Sequence, residues 1–139
     1  MEPQMDIPAL QAFVAREFPQ LGDDFTIESL NDDGVTVRLN VAERHLRPGG
    51  TVSGPSMFAL ADVGMYLAIL ARLGPVALAV TTNCAIDFMR KPAAGVDMIC
   101  KTRVLKLGRV LAVGDAMLYS EGQSDAVARA SLTYSIPPK

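Results

Sequence analysis

Apolar residues fall along this chain in two different rhythms. In IPALQAFVAREF, residues 7–18, Leu10, Phe13, Val14 and Phe18 recur at helical spacing, and Pro19 with a Gly-Asp-Asp turn stops the run. This predicts a short N-terminal helix. FTIESL and VTVRLNV, split by NDDG, follow the two-residue rhythm of strands and predict a hairpin with a Gly-containing turn. The alternation is cleanest farther on, where Val96, Met98, Cys100, Thr102 and Val104 point one way and Asp97, Lys101 and Arg103 point the other. That is the pattern of a strand buried on one face. Similar strands are expected at 77–89, 109–120 and 125–136, with turns at KLGR and SEGQS. About six strands, a short N-terminal helix and one long central helix make the chain α+β, an antiparallel sheet packed on helices.

The central helix, Pro55 to Leu73, breaks the amphipathic rule because it has almost no polar face. Its length and composition would suit a bilayer span. Asp62, however, would then lie near the bilayer centre at a cost of about 2.5 to 3.5 kcal/mol, and the flanks are strands instead of basic loops and aromatic anchors. A sheet wrapped around the helix, with a second subunit covering the remainder, satisfies the same composition in water.

Composition narrows the classes further. The 139 residues fit a single domain spanning 1–139. Thirteen basic residues against fifteen acidic ones give a net charge of −2, which argues against a nucleic-acid or membrane-surface binder. The opening MEPQMDIPAL lacks the basic and apolar regions of a signal peptide, so a cytoplasmic location is expected. Cys84 and Cys100 are isolated and read as small buried hydrophobes, so no metal ligation is expected. A single histidine, His45, rules out schemes that need two imidazoles.

Two features of the helix carry candidate chemistry. Pro55 suits a first helical position, with Gly54 as N-cap, and the Gly54 N–H beside the positive helix end is then free to donate to an oxyanion. The same Gly-Pro pair is equally a plain helix start. Asp62 is a lone carboxylate in an apolar setting, where the charged form is disfavoured, and it suits a general base or a direct nucleophile. A buried Asp paired with an Arg or with backbone donors is the alternative. Nine residues of helix advance about 13.5 Å and turn about half a revolution, so the Gly54 N–H and Asp62 of one helix cannot meet one carbonyl. Antiparallel central helices in a two-fold dimer can bring them together.

Arg90 and Lys91 at the end of one strand, with Lys106 and Arg109 flanking the Leu107-Gly108 turn, suit phosphate groups or form an ordinary solvated rim. Ser53 could orient water or an acyl group through its hydroxyl. His45 could swing toward the helix start or lie on an exposed loop.

GTVSGPSMFALAD, the strand ending DFMRKPAAG, VLKLGR and AVARASLTYSI together resemble the hotdog-fold acyl-CoA thioesterases, in particular the phenylacetic-acid-degradation and hydroxybenzoyl-CoA thioesterase group. The resemblance runs from about Phe25 to Ile136. In that family a G-T-x-H-G-G-like signature opens the helix and an acid follows its His by nine positions. Here Ser53 stands at the His, Pro55 replaces the second Gly, Asp62 stands nine after Ser53, and Arg47 lies where many members have an Asn.

The resemblance implies a hotdog fold and hydrolysis of a small or medium acyl- or aroyl-CoA, with coenzyme A as part of the substrate and no separate cofactor. It also implies a homodimer or a dimer of dimers with shared sites. In this chain the implied site comprises Asp62, Gly54 and Ser53, with Arg47, Thr81, Arg90, Lys91, Lys106 and Arg109 toward the substrate. A non-catalytic acyl-CoA binder, and more remotely a hotdog hydratase or dehydratase, are the alternatives.

Overall fold

The structure, a computed structural model, describes residues 3–138. Helix α1 spans Ile7–Glu17, capped by the Asp6 carboxylate, which accepts from the Ala9 N–H at 2.9 Å. Strands β1 (Phe25–Leu30) and β2 (Val35–Leu39) form the expected hairpin. In its turn the Asn31 side chain accepts from the Asp33 and Gly34 N–H groups, a local bond that Asn offers to tight turns. Helix α2 (Gly54–Leu73) follows, then β3 (Val80–Phe88), β4 (Met98–Leu107), β5 (Leu111–Ser120) and β6 (Ala128–Ser135). The six strands form one sheet in the order β1-β2-β4-β5-β6-β3, with every neighbouring pair antiparallel.

The sheet curls around α2, and the strand alternation decides what meets the helix. Val35, Val37 and Leu39 of β2, Met98 and Cys100 of β4, and Leu118 and Leu132 of the last two strands are buried on that inner face. Small residues at Ala112, Ala116, Ala128 and Ala130 let the helix approach. At Gly114 a Cβ would stand 2.4 Å from Met65 Cε of the helix and 2.6 Å from the Arg103 carbonyl oxygen of the neighbouring strand, so only glycine fits.

Helix α2 is long and apolar enough to cross a membrane by composition, yet two thirds of its most apolar window is buried inside the fold. Its covering is lopsided. The second half is enclosed from Gly64 to Arg72, while Pro55, Phe58 and Ala59 stay exposed and Asp62 and Val63 half-buried along one stripe of the first half. The end of the helix is tied down by Arg72, a fully buried guanidinium that donates to the carbonyls of Asn31, Asp32, Gly34 and Ala68. These oxygens belong to the β1–β2 turn and to α2 itself, so the charge is solvated by backbone dipoles in place of water.

Strand β3 lies at a sheet edge beside the uncovered stripe of α2. Gly54 approaches the Phe88 ring at one end of β3, and Asp62 bonds Thr81 at the other. Exposed apolar side chains continue along this edge at Leu78, Val80, Phe88 and Met89. Helix stripe and strand edge lie side by side, with Asp62 the carboxylate on the helix stripe.

Candidate active site

The start of α2 is set by a short connection. Leu46 and Val52 form a bridge closed by Arg47 to Gly50, with Pro48 fixing the first central torsion and Gly49 at φ 102° supplying the positive one that a type II turn requires. The Ser53 N–H then donates to the His45 carbonyl at 2.8 Å. The N-cap is Ser53 and not Gly54, because the Ser53 hydroxyl accepts from the Ser56 N–H at 3.3 Å and the backbone turns helical at Gly54. Serine caps better than glycine because it brings an acceptor.

This correction sharpens the role of Gly54. Among the donors of the first turn, Ser56 N–H is taken by the Ser53 hydroxyl, Met57 N–H by the Ser53 carbonyl, and Pro55 has none. The Gly54 N–H is the early donor left for an outside acceptor, at the positive end of the helix dipole. Ser53 is meanwhile committed, since its hydroxyl also lies 3.0 Å from Ser56 Oγ.

Among the described residues, Asp62 has neither an Arg in a salt bridge with it nor a backbone donor to its carboxylate. Its Oδ1 accepts from Thr81 Oγ at 2.6 Å and from the Tyr134 hydroxyl at 2.6 Å, with the Tyr134 hydroxyl also 2.9 Å from the Asp62 carbonyl oxygen. Oδ2 takes no hydrogen bond among the described residues. Burial, with the carboxylate beside it, pushes the Tyr134 phenol well above the ordinary tyrosine range, so it remains a donor throughout. Burial and the Asp62 charge push the Cys84 thiol upward as well. The carboxylate opens into a cavity of ≈ 210 Å³ lined by Phe18, Val63, Tyr66, Ala79, Thr81 and Tyr134, among others.

A bulge delivers Thr81 to this site. Thr81 pairs with Tyr134 and Asn83 with Thr133, leaving Thr82 as the extra residue. Regular alternation through Thr82 would point Thr81 and Cys84 to opposite faces of β3, and the bulge keeps both on the inner one. Tyr134 was not singled out from the sequence, although alternation along β6 places it inward with Leu132. A buried tyrosine hydroxyl needs a partner, and that rule was the available signal.

Several expectations require correction. His45 does not lie on an exposed loop and does not reach the helix start through its imidazole. It is buried, with Nδ1 accepting from the Ala42 N–H at 2.8 Å, which leaves the proton on Nε2 to face Asp24 Oδ2 at 3.2 Å. It braces the connection before α2, and its carbonyl holds Ser53. Arg47 is exposed at the turn.

The basic residues do not gather in one subunit. Phe88 and Leu118 both face Ala128, while Val80 and Leu111 both face Ser135. Arg90 and Lys91 therefore leave one end of the sheet and Lys106 and Arg109 the other, about 24 Å away. All four are exposed, and the Arg90 guanidinium donates to the Ala126 carbonyl at 2.8 Å. Counted from Gly54, Asp62 lies eight positions on, about 12 Å along the axis and under a quarter turn beyond two full turns. The two therefore share the exposed stripe instead of facing opposite ways, and they remain too far apart to meet one carbonyl.

Replacing Tyr134 with Phe should lower kcat about tenfold with little change in KM, the scale of one hydrogen bond to a charged group. Steady-state kinetics beside a thermal melt check this, and a KM effect alone would make Tyr134 a pocket wall.

The model of the family described as the thioesterase superfamily matches residues 49–127. A provisionally named esterase of Pseudomonas aeruginosa is 34% identical over 103 residues, covering 74% of this chain and 75% of its own. A crystal structure from Silicibacter sp. TM1040, provisionally named a thioesterase, is 59% identical, covers 99% of this chain and 96% of its own, and superposes with a TM-score of 0.93. A Streptococcus mutans protein solved with acetyl-CoA shares the fold at 23% identity and TM-score 0.74, covering 85% of this chain and 92% of its own.

Proposed function

Because this chain belongs to the thioesterase superfamily and is a thioester hydrolase, we propose that its substrate is an acyl-CoA, cleaved at a site shared between two subunits. Asp62 acts as base or nucleophile, and Gly54 of the other subunit binds the oxyanion. The observation that carries this reading is the Asp62 carboxylate, whose Oδ1 is held by two hydroxyl donors while Oδ2 takes no hydrogen bond among the described residues and the side chain lines a cavity.

In the base route, Oδ2 takes a proton from water as the water oxygen attacks the thioester carbon; the tetrahedral intermediate then breaks its C–S bond, and the proton passes from Asp62 to the departing thiolate. In the nucleophile route, Oδ2 attacks that carbon itself, the C–S bond breaks with coenzyme A leaving as its thiolate, and water then cleaves the resulting anhydride, freeing the acid and the Asp62 carboxylate and releasing the proton that the thiolate takes up. Either route loads negative charge on the former carbonyl oxygen, where an N–H at a helix start stabilises the transition state more than the ground state.

The two-fold relation follows from the placement of both groups on one uncovered stripe. An axis that brings Gly54 of one subunit to Asp62 of the other also sets the two β3 edges antiparallel, because Gly54 packs near Phe88 and Asp62 near Thr81. It covers Phe58, Val80 and Phe88, whose exposure is otherwise costly. The same axis carries the Arg90 end of one subunit toward the Lys106 end of the other. The basic residues that one chain separates are thereby reunited near each site, where phosphates of coenzyme A would meet them.

The test is release of free thiol from a panel of acyl-CoAs, followed with a thiol reagent. Turnover of at least one member is expected. Binding of acyl-CoA with no thiol released from any would refute the reading.

A further inference from the structure

The cavity at Asp62 is not alone on its side of the helix. A groove of ≈ 380 Å³ runs beside α1, lined by Val14, Leu21, Phe25, Ile27 and Leu67 among others, with Gln11 and Asp23 as polar members of the lining. Phe18 and Val63 line both the groove and the Asp62 cavity, so the two spaces adjoin across these side chains. Phe18 stands where α1 ends and the following turn begins, with φ −138° and ψ 56°, in neither helix. Its ring meets Tyr66 edge to face at 5.8 Å, and Tyr66 is fixed by its hydroxyl donating to the Ala77 carbonyl at 3.1 Å.

Resting on the acyl-CoA reading above, we propose that the groove beside α1 receives the acyl tail of the substrate and that Phe18 sets the length admitted. A thioester carbon held at Asp62 directs its acyl group away from the thiol, and the neighbouring apolar space begins at Phe18 and Val63. Most of the lining side chains are apolar, and Asp23 is the one acid among them and would repel an anionic tail, so the occupant is an uncharged alkyl or aryl tail. Its size is set by volume, which at about 30 Å³ per heavy atom, incompletely filled, holds roughly eight to ten carbons. Each methylene buried there should strengthen binding by up to about fourfold, less the cost of ordering the chain.

Ala15 also lines the groove but is exposed on α1, so bulk added there enters the groove without touching the core. The probes are two non-hydrolysable thioethers, ethyl-CoA and octyl-CoA, titrated by calorimetry, together with kcat/KM for acetyl-CoA and octanoyl-CoA. The wild type should bind the octyl probe at least tenfold more tightly than the ethyl probe. Ala15→Phe should remove most of that ratio, and Phe18→Ala should move the preferred length upward by two or more carbons. An octyl-to-ethyl ratio unchanged in both variants, with melts like the wild type, overturns the placement. The thioethers also separate the two readings. A ratio lost in Ala15→Phe with no hydrolysis of either thioester sinks the catalytic reading and keeps the groove, whereas hydrolysis whose length preference ignores both variants does the reverse.

Discussion

Asp62→Asn is expected to fold and assemble as the wild type does and to lose at least about a hundredfold in turnover, the usual scale for an acid–base group. The substitution is close to isosteric. An amide oxygen at the Oδ1 position still accepts from Thr81 and Tyr134, so the local geometry is retained. An amide nitrogen at the Oδ2 position can neither take a proton nor attack a carbonyl. Loss of kcat with an unchanged melting temperature and an unchanged elution volume is the expected pattern. Turnover within a few-fold of the wild type would place Asp62 among the structural residues. In single turnover of the wild type in ¹⁸O water, label on the Asp62 carboxylate establishes the nucleophile route, since it arises only when water attacks the Asp62 carbonyl of an anhydride.

The second large effect is a restoration. Gly54→Val removes space around the Gly54 N–H at the helix start, while its Cβ meets the Phe88 ring at an ordinary 3.5 Å, so the fold should tolerate it. Gly54→Val and Asp62→Ala should each be inactive. When the two are mixed, unfolded and reassembled at random, about half the dimers contain one of each, and each of these holds one site with both defects and one with neither. About a quarter of wild-type activity should return. A tagged subunit confirms that mixed dimers form. If they form and stay as inactive as the parents, the site does not cross chains.

The elements were legible because burial imprints its period on the sequence. The helix expected at 55–73 is found at Gly54–Leu73, and FTIESL forms β1 as read. The long apolar helix with one carboxylate was enough to single out Asp62, since a charge inside such a run stands out against its neighbours. The helix start was located but misassigned by one residue, because Ser53 and Gly54 are both acceptable caps and only the bond to Ser56 decides between them. Periodicity says which residues face inward but not which of them touch, and Tyr134 was overlooked for that reason.

By itself, the sequence determined the α+β class, the succession of helices and strands along the chain, the inward face of the strand at 98–104, the burial of the central helix and the presence of a lone acid on it. These are local properties, carried by periods of 2.0 and 3.6 residues and by turn chemistry. The tertiary structure decided the rest. It joined β3 to β6 and β2 to β4 across long stretches of chain, and used one extra residue at Thr82 to aim Thr81 at Asp62. It also buried His45 and sent the two basic pairs to opposite ends of the sheet. Such outcomes depend on strand pairing and register between distant residues, and a shift of one residue exchanges the faces of a strand without changing its pattern.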